Sequence, residues 1–349
     1  MISTTLSNPP INTDPHQRHF VRSAGAGIGN VNVCFGSLWI AFLTSALLVP
    51  VTVLGQPFPG KIVRIVIPFS LGGSNDLTGR ILLPHLVERW NQQVIIDPHV
   101  GAASTVGTDY VAKSPPDGHT ILFTSTQFVY APSTFAKLPY DPLNDLVPVT
   151  LVSVSPQMII AHPSLPANDP KELVALARAH PGQLTIGNAG NPLPTLFFIM
   201  LSKTKMTPVP YKGAGPLQID VMGGYVPLGM AAISSFMGTV KSGRAKVIGV
   251  CSKERTPLYP EAPPMAEGAP GFEATAWFGM FVPRGTPAAV VRRIGDDVAE
   301  VLKIPGVRDR LHEIGGEPSG MPTEQYAQFV RGEIEKWNAV AKAAGIKPQ

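Results

Sequence analysis

The stretch that most constrains the fold runs from residue 61 to residue 86. Residues 61–69 are mostly β-branched and form a run too short for a helix, which predicts a buried strand. Gly72 and Gly73 follow, and without Cβ atoms they let a ligand approach the backbone. Residues 74–76, Ser-Asn-Asp, then supply helix-capping side chains. The stretch therefore predicts a strand, a glycine turn and a helix start.

Such a helix start is suited to an anion. Its first N–H groups have no helical acceptor and lie at the positive end of the helix dipole, so they can hold a carboxylate without a charged side chain. The loop lacks the Lys-Ser/Thr of a phosphate loop and the glycine spacing of a dinucleotide fold. Asp76 is expected to cap the helix, because a second negative charge would repel the anion. A purely structural role for the glycine pair stays open from this stretch alone.

The same pattern of a short apolar run followed by small or polar residues recurs along the chain. If the strands are parallel, these loops share one edge of a sheet, which is where ligands bind in open α/β folds. Two further apolar runs, 148–160 and 277–283, are predicted as strands that connect two lobes. The predicted strands and their loops are 120–123 with 124–126, 184–186 with 187–191, and 228–233 with 234–235.

Composition and motifs exclude several classes of function. The chain has 349 residues, a formal charge of +4 and no run of five basic residues, which argues against a nucleic-acid partner. It contains no Gly-x-Ser-x-Gly, no His-Glu-x-x-His and no Cys-x-x-Cys, and its histidines stand singly. We therefore predict no catalytic residue, no metal site and no cofactor, and a binding site built from neutral loops.

The N-terminal region differs from the rest. Residues 31–54 are almost wholly apolar and are followed by a small-residue site at 53–55, which predicts a signal peptide with an extended N-terminal region over residues 1–55. A retained membrane anchor is the alternative, because about twenty apolar residues can span a bilayer. Cleavage would remove Cys34 and leave Cys251, predicted to be a buried thiol, with no disulfide partner.

Several motifs, in order, resemble one known family over about residues 57–347. The chain is similar to the substrate-binding proteins of tripartite tricarboxylate transporters, also called Bug or TctC-like periplasmic receptors. The matching segments are 61–69 with Gly72, Gly73 and Asp76, then 111–118 (Val-Ala-Lys-Ser-Pro-Pro-Asp-Gly), 138–142 (Leu-Pro-Tyr-Asp-Pro), 209–213 (Val-Pro-Tyr-Lys-Gly), 277–279 (Trp-Phe-Gly), 335–337 and 344–346.

The resemblance implies a two-lobed α/β fold of the type II periplasmic binding protein kind, with a ligand cleft between the lobes. Residues 56–158 and 275–349 would form lobe 1, and residues 159–274 would form lobe 2. The implied function is capture of a small organic carboxylate in the periplasm for a membrane permease, by a monomer without enzymatic activity. An extracytoplasmic sensor for a signalling partner, or an enzyme of unknown type, stays open.

The resemblance and the loop pattern together predict the ligand-binding residues. Lys212 is included as an anion partner, although a surface lysine beside a turn is an equal alternative. The predicted set is Phe69, Ser70, Leu71, Gly72, Gly73, Ser74, Thr124, Ser125, Thr126, Gly187, Asn188, Ala189, Gly190, Asn191, Leu193, Tyr211, Lys212, Ser234 and Trp277.

Two departures from the family pattern are informative. Leu193 and Leu196 stand where the family tends to have hydroxyl and imidazole groups, so we expect an aromatic or branched monocarboxylate to bind better than citrate. The alternative is that both leucines face the core of their lobe. Residues 101–105 read Gly-Ala-Ala-Ser-Thr where the family usually has Gly-Ala-Gly-Gly-Asn.

Overall fold

The computed structural model describes residues 58–211 and 213–348. The predicted signal segment 1–55, with Cys34, and the predicted site residue Lys212 lie outside the described residues.

The strands are β1 Val63–Ile67, β2 Val94–Pro98, β3 Thr120–Ser125, β4 Leu146–Ala161, β5 Thr185–Ala189, β6 Thr207–Tyr211, β7 Leu228–Ala232, β8 Lys246–Val250, β9 Thr275–Pro283 and β10 Glu317–Met321. The helices are α1 Ser74–Trp90, α2 Thr105–Ala112, α3 Gln127–Thr134, α4 Pro170–Ala179, α5 Leu193–Ser202, α6 Ala214–Met222, α7 Ile233–Lys241, α8 Ala288–Leu302, α9 Pro305–Glu313 and α10 Thr323–Ala343.

The strands form a mixed sheet in the order β2-β1-β3-β9-β4-β7-β5-β6, with β8 and β10 also paired to β4. Strands β1, β2 and β3 are parallel, as are β5, β6 and β7, so each group sends its carboxyl ends to one edge. The two groups are joined through β9 and β4, which run antiparallel to their neighbours.

Strand β4 belongs to both parts of the sheet. Its residues up to Pro156 pair with β9, and from Gln157 onwards they pair with β7. With helices around both parts, this is the two-lobed α/β fold that was predicted. The residue limits of the two lobes stay a prediction.

Helices pack on both faces of the first part of the sheet because successive strand side chains point to opposite faces. On β1, Val66 packs in one core with Trp337 of α10, whereas Ile65 and Ile67 pack in another with Leu82 of α1. Apolar residues at helical spacing within 290–302 and 326–337 predict one buried face on each of α8 and α10. Most of these residues are buried, whereas Val290 and Phe329 are half-buried. The buried ones are Val291, Ile294, Val298, Val301 and Leu302 on α8, and Tyr326, Val330, Ile334 and Trp337 on α10.

Residues 169–172, Asp-Pro-Lys-Glu, predict a capping box, and α4 has its N-cap half, while the reciprocal bond of Glu172 goes to Asn168 instead of the N-cap residue Asp169. Asp169 accepts from the Glu172 N–H at 2.8 Å, Glu172 accepts from the Asn168 N–H at 2.8 Å, and Pro170 occupies the first turn. Cys251 is fully buried, and burial raises the pKa of its thiol, so it is a core residue as predicted. Within residues 58–211 and 213–348, no helix combines the length and apolar character needed to cross a membrane.

Candidate functional site

A cavity of about 440 Å³ opens where the loops of the two parallel strand groups face each other. Loops after β1 and β3 line one side, and loops after β5 and β7 line the other, while β4 and β9 form the floor between them. Of the predicted residues, the cavity brings together Phe69, Ser70, Gly73, Ser74, Ser125, Thr126, Asn188, Ala189, Gly190 and Asn191.

Five helices begin at this cavity. Lining residues stand at the first turn or N-cap of α1, α3, α5, α6 and α7, and in each case the N-cap residue makes no side-chain hydrogen bond to its helix. The first N–H groups of these helices have no helical acceptor, and each helix presents the positive end of its dipole. These helix starts therefore make the cavity electropositive, and none of its described lining residues is a cation.

The loop before α1 shows why two glycines stand together. Gly72 has φ of +79°, a left-handed conformation that glycine adopts without strain, and an added Cβ would meet no atom within 4 Å. Gly73 has an ordinary φ of −78° but lines the cavity. Gly72 is thus required by the turn, whereas Gly73 keeps the entrance to the helix N-terminus clear.

Asp76 holds this loop in place from within the first turn of α1, whereas the N-cap position belongs to Gly73, so the prediction that residues 74–76 cap the helix is wrong. Its carboxylate accepts from the Gly72 N–H at 2.8 Å and from Arg80 Nε at 2.9 Å. The hydrogen bond from Arg80 lowers the pKa of Asp76, with the Gly72 N–H adding to the effect, so the carboxylate stays ionised. Its charge is neutralised by Arg80 and does not face the cavity lining.

Among the described residues, the lining contains no Lys, Arg, His, Asp or Glu. It carries instead the amides of Asn75, Gln157 and Asn188, each with at least one buried atom that has no hydrogen-bond partner. Such atoms are rare in folded proteins because leaving them unpaired costs free energy. Unpaired amides in a cavity are the mark of a polar binding site.

The remaining predicted residues do not line this cavity. Thr124 is fully buried, Ser235 lines where Ser234 was predicted, and Leu71 and Gly72 stay in the turn. At Gly187 an added Cβ would lie 2.2 Å from Leu217, so that glycine serves packing between β5 and α6. Leu193 is fully buried in the core, as the alternative left open by the sequence has it, whereas Leu196 is half-buried and absent from the lining.

Tyr211 makes an internal contact. Its hydroxyl donates to Asp220 at 2.6 Å, and burial together with this carboxylate raises the pKa of Tyr211 to about 12. The tyrosine thereby links the end of β6 to α6 and is absent from the lining.

Trp277 lies on the other face of β9. Ala276 and Phe278 line the main cavity, while Trp277 and Thr275 line a second cavity of about 320 Å³ on the opposite face. The alternation of side chains along a strand accounts for this separation. The sequence analysis missed several lining residues, which are Asn75, Gln127, Tyr130, Ser155, Gln157, Pro194, Ala214, Met230, Ala231, Ala232, Ser235, Ala276 and Phe278.

Comparison with known proteins agrees with this geometry. Residues 79–346 match the family model described as tripartite tricarboxylate transporter family receptor. The chain belongs to this family. A "UPF0065 protein in tcbD-tcbE intergenic region" from Pseudomonas sp. (strain P51) is 33% identical over 286 residues, covering 80% of this chain and 85% of that protein.

Two similar solved structures contain ligands. One, from R. palustris, is "Rpa4515 with adipate", with 31% identity, a TM-score of 0.72 and coverage of 84% of this chain and 100% of that one. The other is "MatC (Rpa3494) from Rhodopseudomonas palustris with bound malate", with 31% identity, a TM-score of 0.68 and coverage of 81% and 100%. Both structures thus contain a small carboxylate.

Proposed function

We propose that this chain is a periplasmic solute-binding protein that captures a small organic carboxylate and delivers it to the membrane permease of a tripartite tricarboxylate-type transporter. The observation that carries the proposal is the cavity at which five helices of the described residues begin, because the dipole ends stabilise an anion, as do the first N–H groups other than that of Leu193, which Asn191 caps. The family relatives with adipate and malate support the ligand class. Residues 1–55 would act as a signal peptide that is removed on export, and the mature protein would act as a monomer without catalysis.

The lining also supports a preference among carboxylates. Phe69, Pro194, Met230 and Phe278 give it an apolar component even though Leu193 and Leu196 lie elsewhere. The described lining residues include no cation, so a carboxylate group in excess of those held at the helix starts would be buried without a partner, which costs several kcal/mol. An aromatic or branched monocarboxylate should therefore bind better than citrate.

The test uses the exported protein expressed from the full chain. Thermal-shift measurements with benzoate, adipate, malate and citrate should find at least one stabilising carboxylate, because a ligand that binds only the folded state raises its stability. Calorimetry then ranks the hits. Tighter binding of citrate than of every monocarboxylate would contradict the stated preference, and turnover of a bound compound by the pure protein would contradict a pure binding role.

Two glycine variants test the position of the anion. Gly73→Val places a side chain on the cavity wall beside the α1 N-terminus, and the loss of even one charge-assisted hydrogen bond of about 1.5–3 kcal/mol predicts at least about tenfold weaker binding. Gly72→Ala is the matched control, because its main effect should be about 1–2 kcal/mol lower stability from the left-handed φ. Unchanged affinity in a folded Gly73→Val protein would place the carboxylate elsewhere.

A further inference from the structure

Asn188 stands out among the polar groups of the cavity. The residue is 3% exposed, lies at the end of β5 and lines the cavity, and neither its Nδ2 nor its Oδ1 has a hydrogen-bond partner. Exchanging the two atoms by rotating the amide leaves the result unchanged, since both are unpaired. One buried side chain therefore requires both a donor and an acceptor from whatever fills the cavity.

Neighbouring residues do not supply these partners. Strand β7 separates Asn188 from the other unpaired amide on the floor, Gln157, because Asn188 lies opposite Met230 and Gln157 lies opposite Ala232. Two strand spacings of about 4.8 Å and an offset of two residues along the strands place the two Cα atoms about 12 Å apart, and the two amides make no bond to each other. Asn191, by contrast, already uses its Oδ1 to accept from the Leu193 N–H at 3.0 Å.

A carboxylate alone cannot satisfy Asn188. An ionised carboxylate only accepts hydrogen bonds, so it could pair with the N–H groups of the helix starts and with Asn188 Nδ2, but it would leave Oδ1 unpaired. The unpaired Gln157 Oε1 has the same requirement for a donor. The hydroxyl groups of the lining, such as those of Ser74 and Ser235, can turn to donate or accept and impose no such demand.

We infer that the natural ligand carries, besides its carboxylate, an O–H or N–H group that donates to Asn188 Oδ1, which makes Asn188 a specificity-determining residue. This inference rests on the proposed carboxylate-binding function. The substrate class is then a hydroxy- or amino-substituted carboxylate. A site built to pair such a group discriminates strongly against the analogue that lacks it, because its own polar atoms would remain unpaired.

Matched ligand pairs test this directly on the exported protein expressed from the full chain. The pairs are malate with succinate, and 4-hydroxybenzoate and 4-aminobenzoate with benzoate, measured by calorimetry. In at least one pair the substituted member should bind about tenfold or more tightly. Equal affinities within every pair would overturn this inference and leave the proposed function intact. If none of these carboxylates binds, the proposed function fails, and this inference fails with it.

Variants assign the preference to the residue. Asn188→Leu should abolish the difference in affinity between the substituted carboxylate and its unsubstituted analogue. It should not lower the thermal midpoint of the free protein, because leucine has a similar size and leaves no polar atom unpaired. Asn188→Asp, which keeps an acceptor, should retain the preference even if overall affinity falls. Asn338→Leu, at an exposed position on α10, is the matched control and should behave as wild type. A preference that survives in Asn188→Leu would overturn the assignment.

Discussion

The turn before α2 predicts that replacing alanine by glycine stabilises the protein there, although the same replacement destabilises a helix. Ala102, Ala103 and Ser104 adopt consecutive positive φ values of 42°, 49° and 82°. In L-residues the left-handed conformation costs about 1–2 kcal/mol per residue. The family usually has glycine at the positions of Ala103 and Ser104, so this chain carries side chains where the backbone favours none.

Replacing Ala103 by glycine should stabilise the protein. Relief of the left-handed strain contributes about 1–2 kcal/mol, and the greater freedom of glycine in the unfolded chain opposes it by about 0.5–1 kcal/mol, leaving a gain of about 0.5–1 kcal/mol. Ser104→Gly should gain at least as much, because it also removes a buried hydroxyl that has no hydrogen-bond partner. Ala339, exposed in the C-terminal part of α10 but before its last turn, provides the matched control, and Ala339→Gly should cost up to about 1 kcal/mol.

Urea unfolding of the three variants measures these free energies. The Ala103→Gly and Ala339→Gly midpoints should move in opposite directions, with unchanged slopes against urea concentration. Destabilisation by Ala103→Gly of the same size as by Ala339→Gly would refute the argument, because it would show that the unfolded-chain entropy of glycine outweighs the strain at this turn.

Three further predictions concern stability. Tyr326→Phe should leave the free energy of unfolding unchanged or raise it by up to about 1–2 kcal/mol in urea titrations, because the buried hydroxyl has no hydrogen-bond partner. The hydroxyl fits only because Gly279 has no side chain. Clear destabilisation would contradict the absence of a partner. Asp297→Ala should lower the free energy of unfolding by about 1–3 kcal/mol, because the buried Asp297 accepts from Trp90 Nε1 at 2.8 Å and from Arg89 and Arg293. A loss below about 0.5 kcal/mol would contradict this role of Asp297. The pKa of Asp76 is lowered in the folded state, so its contribution to stability is present above the unfolded pKa of about 3.9 and is lost as pH falls below that value. Asp76→Asn should therefore flatten the acid side of a plot of thermal midpoint against pH. An unchanged plot would argue against the Arg80 contact.

The overall fold could be predicted because its signals are local and repeated. The β-branched run before Gly72 predicted β1, and the long run 148–160 predicted the connecting strand β4, which spans Leu146–Ala161. The apolar faces of α8 and α10 followed from helical spacing. Each of these signals depends on neighbours along the chain, so no knowledge of the tertiary structure was needed.

The site was predicted at the level of loops but less well at the level of single residues. On β3, Ser125 lines the cavity but its neighbour Thr124 does not. On β9, Ala276 and Phe278 line the cavity, whereas Trp277 between them does not. Which of two adjacent strand residues faces a cleft depends on the twist and register of the sheet, because a shift of one residue changes the face. Loop chemistry identifies the edge of the sheet, whereas the facing side chains are set by pairing between distant strands.

Gln157 and Asn188 were the hardest to weigh from sequence, since a polar residue in a strand does not reveal whether its partners are protein atoms or a ligand. At Asn188 both amide atoms are buried without a partner in a cavity where helices begin, which supports the proposed ligand contact. Helix N-termini and neutral side chains would have different roles in ligand recognition. Backbone N–H groups and dipoles attract any small carboxylate and require no desolvation of a lysine or arginine, so they supply affinity with little discrimination. Selection among carboxylates then falls to neutral side chains of fixed donor and acceptor character, of which Asn188 makes the most specific demand.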